Sequence, residues 1–373
     1  MATAFKAAGV AASNPARLLA WEALAAAAIG SALVVGRPVT AQQPAQESYG
    51  ISLHTFTDSR GVTVLSPTGE LNRDFTTRTG LRAAFGVDAI SAASDSCIRC
   101  HPDGAYNARA YVNASLFRKY GDTKVSVGGE FSREQFYTAT TGSTSISRTL
   151  NQANTTVAGG YAFSLNQPVL HPSEDVERQY AHSGFATLTQ TVSKTTAVQV
   201  GYEVSRLTGF QNNVFLRANV DGIRMLGNHP EHRLRQSVTA KIRQALPGRV
   251  YLEADYRRYQ DDWQVKAHTW SAGLAREFSP RLTLAGSYRR HQQTGASFYR
   301  PVYTGQPEFF TADFRIFPFD ADLYTGRLNF TPKQGLMVFR AGTSLTLQYE
   351  YYRNTTTFQA ATATAAIRVP LTR

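Results

Sequence analysis

Apolar and polar residues alternate with a period of two over much of the chain. Val198, Val200, Tyr202 and Val204 share one face, and Gln199, Gly201, Glu203 and Ser205 share the other. Val250, Leu252, Ala254 and Tyr256 alternate in the same way with Tyr251, Glu253, Asp255 and Arg257. Leu345, Leu347, Tyr349 and Tyr351 do so with Thr346, Gln348, Glu350 and Tyr352. Such alternation marks β-strands with two unlike faces, and it recurs from about Tyr49 to the C-terminus. Beyond the N-terminal region no stretch reaches the ~18 apolar residues of a membrane-spanning helix.

Two-faced strands suit a sandwich, or a barrel whose apolar face meets lipid and whose polar face lines a lumen. The connections favour the barrel. Short turns are expected at Asp74–Gly80, Lys119–Lys124, Leu150–Thr155, Ser193–Thr196, Leu246–Arg249, Phe278–Arg281 and Thr331–Gly335. Between them fall longer segments, the longest being Gln167–Gln179, Phe210–Arg233 and Arg300–Ala321. Short turns at one rim and long loops at the other are the pattern of outer-membrane barrels. The expected fold is therefore all-β: a transmembrane up-and-down antiparallel β-barrel of about sixteen strands, with both termini on the periplasmic side. The polar faces put Glu130, Glu203, Glu253, Asp255, Arg257, Arg289, Arg327 and Glu350 in the lumen. One feature departs from many bacterial barrels, since the last residues are Pro370-Leu371-Thr372-Arg373 and not an aromatic.

Composition adds a compartment. Lys6 and Arg17, the apolar run Leu24 to Val35, and Val39-Thr40-Ala41 before Gln42 read as a secretory signal over residues 1–41. The remainder, 42–373, is expected to be one barrel in the outer membrane. The formal net charge is +12; losing Lys6, Arg17 and Arg37, but also Glu22, leaves +10. The cations are scattered among strands with no basic run, which argues against nucleic acid and favours outer-membrane lipid and lipopolysaccharide, or an anionic solute in a pore, as partners.

Candidate chemistry centres on Cys97-Ile98-Arg99-Cys100-His101. Its cysteines are the only two in the chain. C-x-x-C-H is the spacing of covalent c-type haem attachment, with the histidine as proximal iron ligand. The motif lies in a loop, 92–107, between strands expected at Leu81–Ile90 and Ala108–Arg118. A haem c there implies electron transfer at or across the outer membrane, with periplasmic or extracellular electron carriers as partners. A second axial ligand is sought in the long loops at His171, Met225, His229 or His232. The alternatives are a porin-like or structural barrel whose Cys97–Cys100 pair is a disulfide clasp, and a metal site. His54, His182, His268 and His291 fall on strands, as rim or lumen residues. Asp261 and Asp262 fall at a solvated hairpin tip. No nucleophile–base pair or phosphate loop stands out, so an enzyme is not expected.

Several stretches carry a family resemblance: Gly61-Val62-Thr63-Val64-Leu65-Ser66-Pro67, Val87-Asp88-Ala89-Ile90-Ser91-Ala92-Ala93-Ser94, His229-Pro230-Glu231-His232-Arg233 and Tyr256-Arg257-Arg258-Tyr259-Gln260-Asp261-Asp262-Trp263. Together they resemble the bacterial family called domain of unknown function 3570, over almost all of the mature chain. The resemblance implies an exported barrel and supplies no activity. The C-x-x-C-H is an addition to that family pattern.

Overall fold

The computed structural model describes residues 47–371, apart from 91–106, 171–172, 215, 335 and 337–338. The strands are β1 (Ser48–Asp58), β2 (Thr63–Asp74), β3 (Thr79–Ile90), β4 (Asn107–Tyr120), β5 (Thr123–Glu134) and β6 (Tyr137–Leu150). They continue with β7 (Thr155–Pro168), β8 (Gln179–Thr191), β9 (Thr196–Gly209), β10 (Arg217–Val220), β11 (Ile223–Leu226) and β12 (His232–Leu246). The last six are β13 (Val250–Asp261), β14 (Lys266–Ser279), β15 (Leu282–Gln293), β16 (Phe319–Phe330), β17 (Ser344–Asn354) and β18 (Gln359–Pro370). Among the described residues sixteen of these close one antiparallel barrel. Sequence neighbours pair throughout, β9 pairs with β12, and β1 seals the ring against β18. The small hairpin β10–β11 stands apart as an insert between β9 and β12. Closure leaves the barrel no unpaired edge, as strands that cross lipid require; among the described residues no helix is long and apolar enough to cross a membrane.

The alternation places the faces as expected. Ile51, Phe85, Val112, Leu116, Val127, Ile146, Val200, Leu274 and Leu347 all point outward and are exposed on the bare barrel. Tyr161, Tyr202, Trp270, Tyr288 and Tyr324 ring its upper part, and Tyr49, Tyr120, Phe278 and Phe330 ring its lower end. Aromatic girdles around an apolar belt are what the two membrane interfaces select. Glycines make room for rings in the wall. Tyr111 lies on Gly86, its partner on the lumen face, where a Cβ would stand 2.6 Å from the ring.

Outward-facing arginines frame the belt. Arg258 pairs with His268, and Arg276 stands eight residues further along the same strand. At ~3.3 Å per residue and a tilt of about 35–45°, that separates the two levels by roughly 20 Å, close to the ~25 Å apolar band of such barrels.

The connections fall into two sets. At the rim that holds both described chain ends, the turns after β2, β4, β6, β8, β12 and β14 are tight. The turn expected at Thr331–Gly335 is longer than the sequence suggests. β17 starts only at Ser344, because Leu336 and Phe339 bridge each other and Thr343 is fully buried beside Arg340. The long segments, between β7 and β8, β9 and β12, and β15 and β16, all leave the opposite rim.

Candidate functional site: the barrel mouth and the charged waist

At that opposite rim, two long segments fold against each other and against the β13–β14 hairpin. His229 is the joint between them. Its Nδ1 lies 3.0 Å from the Gln211 carbonyl and its Nε2 2.8 Å from the Thr311 hydroxyl. A carbonyl only accepts, so Nδ1 carries the proton and Nε2 accepts from Thr311. The His229 backbone N–H donates to Asn212 Oδ1 at 2.7 Å. Asn228 and Phe310 exchange backbone hydrogen bonds of 3.0 Å, and Val220 bridges Tyr303 in parallel. The buried Tyr303 hydroxyl donates to the Phe298 carbonyl and accepts from the Arg300 and Thr311 amides.

The packing beneath is aromatic. Trp263 is 5% exposed and clusters with Val265, Ala296 and Ile316. It meets Phe298 and His229 edge-on, each at 5.3 Å, and donates from its indole N–H to the His232 carbonyl. The Arg233 guanidinium stacks 4.3 Å above the Trp263 ring and donates twice to Asp261 Oδ2, at 2.9 and 2.6 Å. Asp261 also accepts from Tyr259 and from the Val265 amide. Its side chain has no exposed surface. Nearby, Asp313 grips Arg315 through both carboxylate oxygens and accepts from the Arg315 amide.

Charge in this cap is tuned by burial. Burial pushes the His229 ring down to about 4, against a raising influence from Asp313 and the Gln211 carbonyl. For Asp313 burial pushes upward, but the Arg315 guanidinium outweighs it and holds the carboxyl below its ordinary value. Gln293, on the lumen side of β15, donates to the Arg315 and Phe317 carbonyls, which draws the β15–β16 segment inward over the mouth. Phe314 of the same segment reaches Arg60 in the β1–β2 turn at 5.7 Å. A cleft of about 390 Å³ remains in the cap, edged by Pro230, Trp263, Phe298, Arg300 and Phe309.

Below the cap the lumen is lined by a ring of charge, here called the waist. His54, Glu130, Arg257, Arg289 and Glu350 each stand four residues in from the outer ends of their strands, at Asp58, Glu134, Asp261, Gln293 and Asn354. Glu203 joins them, 3.5 Å from Arg257. The pairing is uneven. Glu253 takes both Lys241 and Arg243, at 2.9 and 2.6 Å. Arg289 donates to the Ser271 hydroxyl and Arg327 to the Gln348 amide oxygen, both neutral acceptors. Part of the opposite wall is hydroxylic, with Thr141–Ser164 and Ser183–Ser205 pairs of 2.8 Å.

Most of the residues singled out in the sequence can now be placed. The lumenal acids and bases face the lumen as expected. His54 and His291 are lumenal, bonded to Thr364 and Thr269. His182 and His268 face outward instead, each 2.6 Å from a girdle tyrosine hydroxyl, Tyr161 and Tyr256. Asp261 is no solvated tip, because it must neutralise the buried Arg233. Cys97, Cys100, His101 and His171 lie outside the described residues, as does the 1–41 leader. Of the proposed iron ligands, His229 has both ring nitrogens engaged and is a structural joint. Met225 is exposed on β11 and His232 is exposed at the start of β12. The strands that carry the cysteine loop, β3 and β4, stand six places around the ring from β9 and β12.

The sequence reading missed the cap: the His229–Thr311 joint, Asp313–Arg315 and the Trp263 cluster. The available signal was the density of aromatics in segments read as solvated loops.

Solved structures with similar architecture include OccK5 (OpdH) of Pseudomonas aeruginosa, with a TM-score of 0.47, 11% identity, and coverage of 88% of this chain and 98% of that one. A BenF-like porin from Pseudomonas fluorescens Pf-5 gives 0.46, 8%, 87% and 98%. OccK1 (OpdK) of Pseudomonas aeruginosa gives 0.43, 8%, 87% and 98%. No curated protein matches this chain. The family model described as "Protein of unknown function (DUF3570)" matches residues 171–368. That span includes the His229–Arg233 and Tyr256–Trp263 stretches and leaves the Gly61–Pro67 and Val87–Ser94 stretches outside. It takes in more than half of the chain, which belongs to the DUF3570 family.

Proposed function

We propose that this barrel is a porin-like channel of the outer membrane that passes small hydrophilic solutes past a capped mouth and a charged waist. The observation that carries this reading is the solvent accessibility of the charges at the waist. At the waist the Arg257 and Glu203 side chains keep 34% and 39% of their surface open to solvent. Charges sealed in a dry barrel would have to pair fully or forfeit several kcal/mol each. Arg289 and Arg327, bonded only to neutral acceptors, fit a water-filled passage. The long segments would face the cell exterior and the chain ends the periplasm. The chemistry is passage and selection, not catalysis. Reconstitution in a planar bilayer tests it: stepwise ohmic conductance supports the channel, and a silent barrel under all salts and pH values sinks it.

A second component rests on Cys97, Cys100 and His101. Their loop joins strands that end at the outer rim, at Ile90 and Asn107, so a haem c there would exchange electrons with carriers at the cell surface. Protein from a host able to attach haem covalently would show a Soret band that survives denaturation. A mass deficit of two hydrogens without that band assigns the clasp instead.

A further inference from the structure

The net positive charge of this chain is carried on the outside of the barrel. On the lumen face acids balance bases closely. On the outward face near the outer rim, Arg206, Arg258, Lys266, Arg290 and Arg353 are met by three carboxylates, Asp320, Asp322 and Asp262, the last accepting from the Leu234 amide. These five cations sit on β9 and β13 to β17. The facing arc, β1 to β7, offers Arg133 alone at that level. At the inner rim the outward cations Arg73, Arg118, Arg148 and Arg276 are spread over β2, β4, β6 and β14. The outer cluster is therefore one-sided.

Its internal order is specific. Asp322 accepts from Tyr288, Arg290 and Arg353 at 2.7, 2.9 and 3.2 Å, and Asp320 takes the other arm of Arg290 at 2.6 Å. Both carboxylates are thus used to hold two guanidiniums in place, and Arg353 still has 55% of its side chain exposed. Arg206, Arg258 and Lys266 have no acidic partner among the described residues. Lys266 pairs with Gln260, which places it diagonally between Arg258 and Asp262 on one face; Asp262 is bonded to the Leu234 amide, and Arg258 and Lys266 are within reach of a shared anion. Arg290 stands next to Trp270, two strands from Arg258, roughly 10 Å away. All five lie just above the girdle of Tyr202, Trp270, Tyr288 and Tyr324, at headgroup depth.

We propose that this arc binds the phosphorylated glycolipid of the outer leaflet, its phosphates seated on Arg258, Lys266 and Arg206 with the Arg290–Arg353 pair beside them. A lipid ligand is favoured over a soluble anion because the cluster faces the bilayer and rises directly from the aromatic girdle. The proposal rests on the outer-membrane reading above.

The test is native mass spectrometry of the full-length barrel in neutral detergent. It is titrated with bis-phosphorylated lipid A, the same lipid stripped of phosphate, and phosphatidylglycerol. The wild-type protein is expected to retain lipid A about tenfold or more over the stripped lipid. R206Q/R258Q/K266Q should abolish that preference, while R118Q/R148Q at the inner rim should keep it. Removing phosphate from the ligand leaves the protein untouched, so the result does not depend on how the variant folds. Equal retention of the stripped lipid, an unchanged triple variant, or equal loss in the inner-rim control overturns the proposal. Phosphatidylglycerol bound as well as lipid A overturns the commitment to a glycolipid. Cell fractionation separates the two readings: a barrel found in the inner membrane refutes the location while the binding measured in detergent stands.

Discussion

The cap should loosen in mild acid, and His229 sets the window. In the closed cap the ring is held near 4, against 6.5 when it is released to water. Above pH 6.5 it is neutral in both states, and its contribution to closure is fully present. As pH falls below 6.5 the released ring takes up a proton and the buried one does not, so closure weakens by about 1.4 kcal/mol per pH unit until about pH 4. The whole span is worth on the order of 3 kcal/mol, and the step from pH 6.5 to 4.5 shifts the closed-to-open ratio about 40-fold. The charged groups facing the ring are Asp313, which favours its protonation, and Arg315 and Arg233, which oppose it. Asp313 is itself held below its ordinary value of 3.8, so its stabilising effect is lost only under stronger acid and stays silent in this window. The assay is amide hydrogen exchange with rates corrected to the intrinsic chemistry. Protection at Asn228, His229, Phe310 and Thr311 should fall about 40-fold between pH 6.5 and 4.5, while barrel-strand amides stay constant. In H229Q most of that slope should vanish. Flat protection at these amides, or an unchanged slope in H229Q, would refute the reasoning.

Removing Asp261 by D261A takes its salt-bridge carboxylate from the buried Arg233 guanidinium; a loss of about 3–5 kcal/mol is expected, read as lower thermal stability of the cap. W263A should cost a similar ~3–5 kcal/mol by opening a void among Val265, Ala296 and Ile316, with exchange at the Ser297 amide, bonded to the Trp263 carbonyl, as its local reporter. R289E places a carboxylate at the waist beside Ser271; the reversal potential in a salt gradient should move toward cation selectivity, and an unmoved potential would remove Arg289 from the conduction path.

The barrel was legible because strand faces and turn spacing are local properties. Val198 to Ser205 declare both faces of β9 within eight residues. Tight turns such as Leu246–Arg249 are equally self-contained. The turn after β16 is longer than Gly335 suggests because Thr343 is buried and bonded to the Arg340 carbonyl, while its neighbour Gly342 lies close to Pro370, which is far away in sequence. The cap escaped for the same reason on a larger scale, since His229 and Thr311 are 82 residues apart. His229 and His232 are both candidate iron ligands by sequence, and only the fold shows that His229 is spent on a joint. Asp262 and Asp261 differ in fate by one position of strand parity, and Asp261 points at Arg233. The outward arginines were visible one by one. Their gathering on one side of the barrel depends on register between β9 and β17, which no single strand reveals.

The central claim is that the waist is a hydrated passage. Single-channel recording of the wild-type barrel and R289E in planar bilayers tests it most directly. The account predicts ohmic steps in the wild type and a shift of ion selectivity in the variant at similar conductance. Absence of steps at neutral pH and after acid loosening of the cap, or a selectivity indifferent to Arg289, would contradict it.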